Sequence, residues 1–210
     1  MQRLVLANGA HFELDPRWIE RERAQALFDA LLTEVPWAQR EIELYGRKVM
    51  QPRLVAWVGD PEAVYTYSRT RHVPLPWTPT LAALRREIEL AVDRPFNSVL
   101  CNLYRDGHDS MGMHADREPE LGPDPLVASL SLGATRRFVL RHRDYGKQRA
   151  AAADGELAVD LELESGSLLV MNGATQHVYK HGVPKQPSIQ AARINLTFRW
   201  VQGVQAANVP

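Results

Sequence analysis

The order of apolar and polar positions divides the chain into a helical first part and a β-rich second part. Ala24, Leu27, Phe28, Leu31 and Leu32 recur at helical spacing, and Pro36 closes the element. Asp15-Pro16 reads as a cap followed by proline at the first helical position, so the helix is predicted to start there. Thr78-Pro79 repeats that start signal, and Leu81, Leu84, Ile88 and Ala91 form an apolar stripe running up to Pro95. Between the helices, residues 41–68 read as short strands joined by turns at Tyr45-Gly46 and Gly59-Asp60-Pro61. After Pro95 the period becomes two. Asn97–Tyr104 is β-branched and apolar, and Leu126–Leu132 and Arg137–Arg141 flank a turn at Gly133. Leu157, Val159, Leu161 and Leu163 alternate, a turn follows at Ser165-Gly166, and Leu168–Met171 is continuously apolar. Many short strands without intervening helices predict an α+β domain, with N-terminal helices packed against a C-terminal jelly roll.

The last strand carries the most information. Arg193-Ile194-Asn195-Leu196-Thr197-Phe198-Arg199-Trp200 alternates without a break. Ile194, Leu196, Phe198 and Trp200 are predicted on one face, and Arg193, Asn195, Thr197 and Arg199 on the other. Two arginines opposite an apolar face are costly unless an anion meets them. An organic acid with two carboxylates fits, because each guanidinium can grip one bidentately. Ordinary surface arginines on a solvated strand face are the competing explanation.

Composition narrows the class. The 210 residues, 45% hydrophobic and 24% charged, suit one globular domain with a real core. No apolar run approaches the roughly 18 residues of a membrane span. No signal-peptide pattern opens the sequence, and one cysteine, Cys101, precludes an internal disulfide, so the cytosol is the expected compartment. A net charge of zero argues against a strongly basic nucleic-acid binder. The charges are nevertheless segregated: Arg136, Arg137, Arg141, Arg143, Lys147 and Arg149 precede Asp154, Glu156, Asp160, Glu162 and Glu164. That basic run is either a phosphate-contacting patch or one side of a solvated hairpin.

Candidate chemistry begins at His114-Ala115-Asp116. In an extended segment the imidazole and carboxylate share a side, about 6.5 Å apart at Cα. With one distant histidine the pair becomes a 2-His-1-carboxylate set, which leaves metal positions open for a cosubstrate and oxygen. His-x-Asp alone is common, and a surface polar pair explains it equally well. His177 and His181 both qualify as the third ligand, in Ala174-Thr175-Gln176-His177-Val178-Tyr179-Lys180-His181-Gly182-Val183-Pro184. Spacing favours His181 slightly without excluding His177. Asn102 and Tyr104 share a strand face by the same counting, opposite Cys101 and Leu103, and could hydrogen-bond a carboxylate.

Five segments occur in the order found in one family: Asn97–Tyr104, His114-Ala115-Asp116, Ala128–Ala134, His181-Gly182-Val183-Pro184 and Arg193–Arg199. Together they resemble the AlkB family of Fe(II)/2-oxoglutarate dioxygenases, most closely its nucleic-acid alkylation repair branch. The resemblance spans roughly residues 41–201, and the first 40 residues carry no such match. It implies a double-stranded β-helix that uses Fe(II), 2-oxoglutarate and O2. The implied reaction is oxidative demethylation of 1-methyladenine and 3-methylcytosine in DNA, with formaldehyde released. His114, Asp116 and His181 match the metal ligands. Asn102, Tyr104, Arg193, Thr197 and Arg199 match the cosubstrate contacts, with Asn195 beside them. Arg193, Asn102 and Tyr104 would meet the distal carboxylate, and Arg199 the end nearer the metal.

On the substrate side, the lesion base must leave the stack to reach a metal. Tyr67, with Tyr65 beside it, matches the aromatic that stacks on the flipped base. Tyr45-Gly46-Arg47 falls where duplex-specialised members carry a wedge, and Glu118 matches an acid at the base's polar edge. Arg117 stands where relatives often have an acid. The resemblance implies a monomer acting on alkylated single- or double-stranded DNA, or on RNA, away from membranes, in the cytoplasm or a nucleus. Residues 1–95 would supply the helices and nucleotide-recognition region, and residues 96–202 the jelly-roll core, within one domain of 1–210. Competing functions are the same oxygenase on a protein or small molecule, and a binding module without chemistry. A binding module would lack a ligand or an arginine, and the sequence lacks none.

Overall fold

The computed structural model describes residues 1–44, 46–67, 70–146 and 155–202. In chain order the first elements are β1 (Gln2–Val5), β2 (His11–Asp15), α1 (Arg21–Glu34), β3 (Glu41–Leu44), β4 (Arg47–Met50) and β5 (Leu54–Gly59). Next come β6 (Tyr65–Tyr67), β7 (Thr70–His72), α2 (Pro79–Val92), β8 (Ser98–Tyr104), β9 (Met111–His114) and β10 (Val127–Gly133). The chain continues through β11 (Arg136–His142), β12 (Ala158–Leu163), β13 (Leu168–Met171), α3 (Gly173–Val178), β14 (Tyr179–Val183) and β15 (Arg193–Arg199).

Two antiparallel sheets form the body. The major sheet has seven strands in the order β1-β2-β13-β10-β15-β8-β5, and the minor sheet has four in the order β12-β11-β14-β9. β3–β4 and β6–β7 are separate hairpins. The major sheet takes β1, β2 and β5 from before residue 96, so the expected 1–95 and 96–202 division marks the chain rather than the sheets. Among the described residues no helix is long and apolar enough to cross a membrane.

Period-two alternation decides what faces what. On β15, Ile194, Leu196 and Phe198 enter a core shared with Ala24 and Leu31 of α1 and Leu81, Leu84 and Ile88 of α2. Val99, Cys101 and Leu103 of β8 and Ala128, Leu130 and Leu132 of β10 face the same way. The opposite faces of these strands look into the space between the sheets, where Tyr104, Phe138, Leu140, Leu163 and Met171 pack together. Helices on one side and the minor sheet on the other bury both faces of the major sheet, so β15 is buried throughout.

The structure moves two predicted boundaries. Asp15 does not cap α1: it pairs with Leu168 of β13 at the end of β2, and its Oδ1 accepts from Arg17 N at 3.1 Å. Sheet pairing holds this residue extended, and the helix starts at Arg21 with Glu20 at its N-cap. Thr78 does cap α2, its hydroxyl accepting from Leu81 N at 3.3 Å, with Pro79 opening the helix. Trp200 lies beyond the last strand and is 48% exposed, so it does not continue the apolar face of Ile194, Leu196 and Phe198.

Candidate active site

Antiparallel register assembles the metal-binding constellation. β14 pairs with β9 so that His181 lies directly opposite His114, and Asp116 follows two residues after β9 ends. One ligand atom from each of His114, Asp116 and His181 lies within 4.8 Å of the others. His114 Nε2 is 3.6 Å from Asp116 Oδ1. His114 Nδ1 stands 2.9 Å from the Gly112 carbonyl, which leaves Nε2 as the atom that faces the carboxylate. The His114 and His181 rings meet edge-on at 4.3 Å, and His181 stacks on Phe138 at 5.4 Å. His177 lies elsewhere, on α3, with Nε2 2.6 Å from the Pro123 carbonyl.

Electrostatics give Asp116 and His181 the protonation states a metal requires. Burial alone would raise the Asp116 carboxyl, but Arg199, helped by His114 and His181, holds it well below the usual carboxylate range. Arg199 Nη2 and Nε donate to Asp116 Oδ2 at 2.8 and 3.2 Å. Burial, reinforced by His114 and Arg199 against the pull of Asp116, lowers His181 to about 3, so the imidazole is neutral. The set is one carboxylate and two imidazoles on one side of a cavity, a fit for a divalent first-row metal such as Fe(II).

Behind the triad, a cavity of about 350 Å³ is lined by Asn102, Tyr104, His181, Asn195, Thr197 and Arg199, among others. Cross-strand register explains the convergence: Arg193 pairs with Tyr104 and Asn195 with Asn102, on the faces turned between the sheets. Arg193 is 1% exposed, yet among the described residues its Nε and Nη1 have no hydrogen-bond partner, while Nη2 donates to Ser131 Oγ at 2.9 Å. Burial depresses its pKa to about 10, which leaves it cationic at neutral pH. A buried cation with two unpaired donors beside the Tyr104 ring is the chemistry that a ligand carboxylate satisfies.

The cavity residues are not equivalent. Asn102 Oδ1 accepts from Arg53 Nε at 2.7 Å. Asn195 Nδ2 donates to Ser129 Oγ at 2.8 Å and to the Leu130 carbonyl at 3.1 Å, and its oxygen accepts from Thr197 Oγ1 at 3.2 Å. Arg199 grips a protein carboxylate, that of Asp116, so the expected symmetrical clamp of two arginines on one dianion is asymmetric here.

A second pocket, of about 650 Å³, also adjoins the triad. His114, Asp116 and Arg199 line it together with Arg53, Trp57 and Glu118. Glu118 is thus brought to the site, whereas Arg117 is exposed. Gly46 adopts φ +75°, the left-handed conformation glycine favours, at the β3–β4 turn, and Arg47 is exposed as β4 begins. Tyr45 and the side chains of Tyr65 and Tyr67 lie outside the described residues.

One family and two of its members match this chain. The 2OG-Fe(II) oxygenase superfamily matches residues 12–199. Alpha-ketoglutarate-dependent dioxygenase alkB homolog 3 of Homo sapiens is 42% identical over 90% of this chain and 65% of its own length. DNA oxidative demethylase ALKBH2 of Homo sapiens is 38% identical over 85% of this chain and 69% of its own.

The chain belongs to the AlkB family of 2OG-Fe(II) oxygenases.

It spans about two thirds of the length of the family members it matches, and slightly less for alkB homolog 3. The solved structure of OsALKBH1, 18% identical, shares the fold with a TM-score of 0.60 over 95% of this chain and all of that one. The family match begins at Phe12 in β2, so most of the first 40 residues belong to the AlkB fold, contrary to the sequence expectation.

The structure also revises the basic run. Arg136 is 1% exposed and cannot meet a phosphate, because its guanidinium donates to the Asp106, Asp109 and Pro184 carbonyls. Arg141 pairs with Asp160, Arg137 and Arg143 are exposed, and Lys147 and Arg149 lie outside the described residues. Two further residues escaped sequence reasoning. Gln176, fully buried, accepts from Asp116 N through Oε1 at 3.0 Å, and Arg53 bonds Asn102 across 49 positions. Neither lies in a periodic or spaced pattern with its partner, so no local signal marks it.

Proposed function

We propose that this protein oxidatively removes N-methyl groups from alkylated nucleobases, 1-methyladenine and 3-methylcytosine, in DNA. The observation that carries the reading is the position of the triad, whose residues line two adjoining cavities, one walled by strand residues beside buried Arg193 and one that also takes Glu118. The first suits an anionic cosubstrate and the second a flat base. Kinship with a protein described as a DNA oxidative demethylase supports the same reading.

His114, Asp116 and His181 would hold Fe(II), and Arg193 would hold the distal carboxylate of 2-oxoglutarate, flanked by Tyr104 and Asn102. Fe(II), when bound with 2-oxoglutarate and O2, supplies the oxidising chemistry that converts an N-methyl group into an N-hydroxymethyl group, which is lost as formaldehyde. The chain's own residues do the rest. Arg199 keeps Asp116 ionised and fixed in orientation, and Gln176 secures the Asp116 backbone. Neutral His181 offers a lone pair. Burial of Arg193 excludes water from the carboxylate end, which strengthens that contact. Asn195 serves the cavity by tying β15 to Ser129 and Leu130 of β10, and Thr197 holds the Asn195 amide.

In the larger pocket Glu118 would accept from the exocyclic amino group of adenine or cytosine. Tyr67, beside Tyr65, would stack on the flipped base, worth about 1–3 kcal/mol. Tyr45, which precedes Gly46 and Arg47 in the sequence, would fill the vacated stack. The test incubates purified protein with Fe(II), 2-oxoglutarate and oligonucleotides carrying 1-methyladenine, as single-stranded DNA, duplex DNA and RNA. Succinate and repaired base on DNA are expected. Turnover on RNA alone would redirect the substrate assignment, and absence of both products on every oligonucleotide would overturn the reading.

A further inference from the structure

Arg136 is among the largest fully buried side chains, and among the described residues no carboxylate oxygen hydrogen-bonds to it. Its acceptors are neutral. Nη1 donates to the Asp106 carbonyl at 2.9 Å, Nη2 to the Asp109 and Pro184 carbonyls at 2.8 and 2.9 Å, and Nε to Gln186 Oε1 at 3.2 Å. Burying a guanidinium this completely among neutral acceptors is expensive, and surface phosphate binding cannot explain it.

The contacts converge on the cosubstrate cavity. Segment 105–110 joins β8, which carries Asn102 and Tyr104, to β9, which carries His114. Pro184 follows β14, which carries His181. Arg136 therefore joins the ends of three strands that build the site. The two segments also lock directly: Gly107 N donates to the Ile189 carbonyl at 2.7 Å, and Gln186 N to the Gly107 carbonyl at 2.8 Å. A Cβ at Gly107 would stand 1.7 Å from the Gln186 carbonyl oxygen, so nothing larger than glycine fits between them.

The Tyr104 ring is the meeting point. The Arg136 guanidinium carbon lies 5.5 Å from its centroid and that of Arg193 lies 5.3 Å from it. The ring's electron-rich faces thus engage both cations. Arg193 carries the unpaired donors Nε and Nη1.

We propose that Arg136 is a positioning residue of the cosubstrate site, which holds Tyr104 against Arg193 and so sets the preference for an acid with a second, distal carboxylate. This rests on the reading that Arg193 meets that carboxylate. Arg136 touches neither cosubstrate nor metal; it acts through Tyr104 and the strand ends.

The test compares two acids that share a keto-acid end. 2-Oxoglutarate has the distal carboxylate and 2-oxobutyrate lacks it. Each is titrated calorimetrically into the full chain loaded with Mn(II), for the unsubstituted protein and for Arg136→Gln. The expected result is 2-oxoglutarate binding weakened about tenfold, 2-oxobutyrate binding changed by less than about twofold, and Mn(II) affinity unchanged. Equal weakening of both acids, a loss of Mn(II) affinity, or no change for either would overturn the proposal, since a purely architectural residue gives one of those patterns. If Arg136→Gln does not fold, Gln186→Ala loosens the same guanidinium, with a selective 2-oxoglutarate loss of about two- to threefold expected and the same overturning outcomes. Unsubstituted protein that binds no 2-oxoglutarate would instead remove the functional reading on which the proposal stands.

Discussion

The smaller cavity and the larger pocket share Met111, His114 and Arg199, but they are built differently. The smaller cavity is made from strand faces: Asn102 and Tyr104 on β8, Asn195 and Thr197 on β15, and His181 on β14. Paired strands hold each of these side chains, and cross-strand register decides which of them meet. The larger pocket also has strand residues, among them Val55, Trp57 and Leu100, but it adds Arg40, Gln51 and Arg53 from connections and Glu118 from the segment after β9. Walls of regular backbone suit a small constant ligand, whereas connections add the variable groups that suit a base arriving on a polymer. In this fold sheet register alone positions the smaller cavity, and irregular chain contributes only to the larger pocket.

The most severe break of the comparison removes the part common to both sides. His114→Ala is expected to abolish succinate formation, by at least about 10³-fold, while circular dichroism shows an intact fold. Asp116→Ala adds a stability effect, because Arg199 is left buried without its counter-charge. The expected loss is about 3–5 kcal/mol, read by denaturant unfolding of the metal-free protein.

Changes on the cosubstrate side come next. Arg193→Gln is expected to raise the KM for 2-oxoglutarate about 30- to 100-fold, with a smaller effect on kcat at saturation, as for a charge-assisted contact of about 2–3 kcal/mol. An unchanged KM would place the distal carboxylate elsewhere. Addition of Mn(II) with 2-oxoglutarate at about 100 times its Kd is expected to stabilise the native chain by about 2.7 kcal/mol, and Arg193→Gln to lose most of that increment.

Changes on the substrate side are smaller and differ in kind. Glu118→Gln is expected to lower kcat/KM on 1-methyladenine DNA about tenfold and leave the KM for 2-oxoglutarate unchanged. A shift in both constants would mean that the two compartments are coupled. The least effect is expected for exposed Arg137: Arg137→Ala should weaken DNA binding about two- to threefold and reduce the salt slope by about one, measured by fluorescence anisotropy.

Legibility in the sequence follows the same division. The alternation in Arg193–Arg199 identified the polar face, and both faces proved buried, against helices on one side and the minor sheet on the other. Thr78-Pro79 marked the start of α2 because capping is local. Asp15-Pro16 misled because the pairing of Asp15 with Leu168, remote in sequence, outweighs a local start signal. Arg136 read as one of a basic run because charge clustering carries no information on burial.

By itself the sequence determined the strand faces, the candidate ligands and, through the resemblance of its motifs, the AlkB family. These depend on side-chain period and residue type, which are properties of neighbours along the chain. Only the tertiary structure put His181 opposite His114 and His177 on a helix against Pro123. It also turned Arg199 onto Asp116, gave the Asn102 oxygen to Arg53, and enclosed Arg136 behind Tyr104. Each of those contacts joins distant segments. Register between strands and the packing of one sheet on another create them, and no spacing along the chain encodes which buried charge finds which partner.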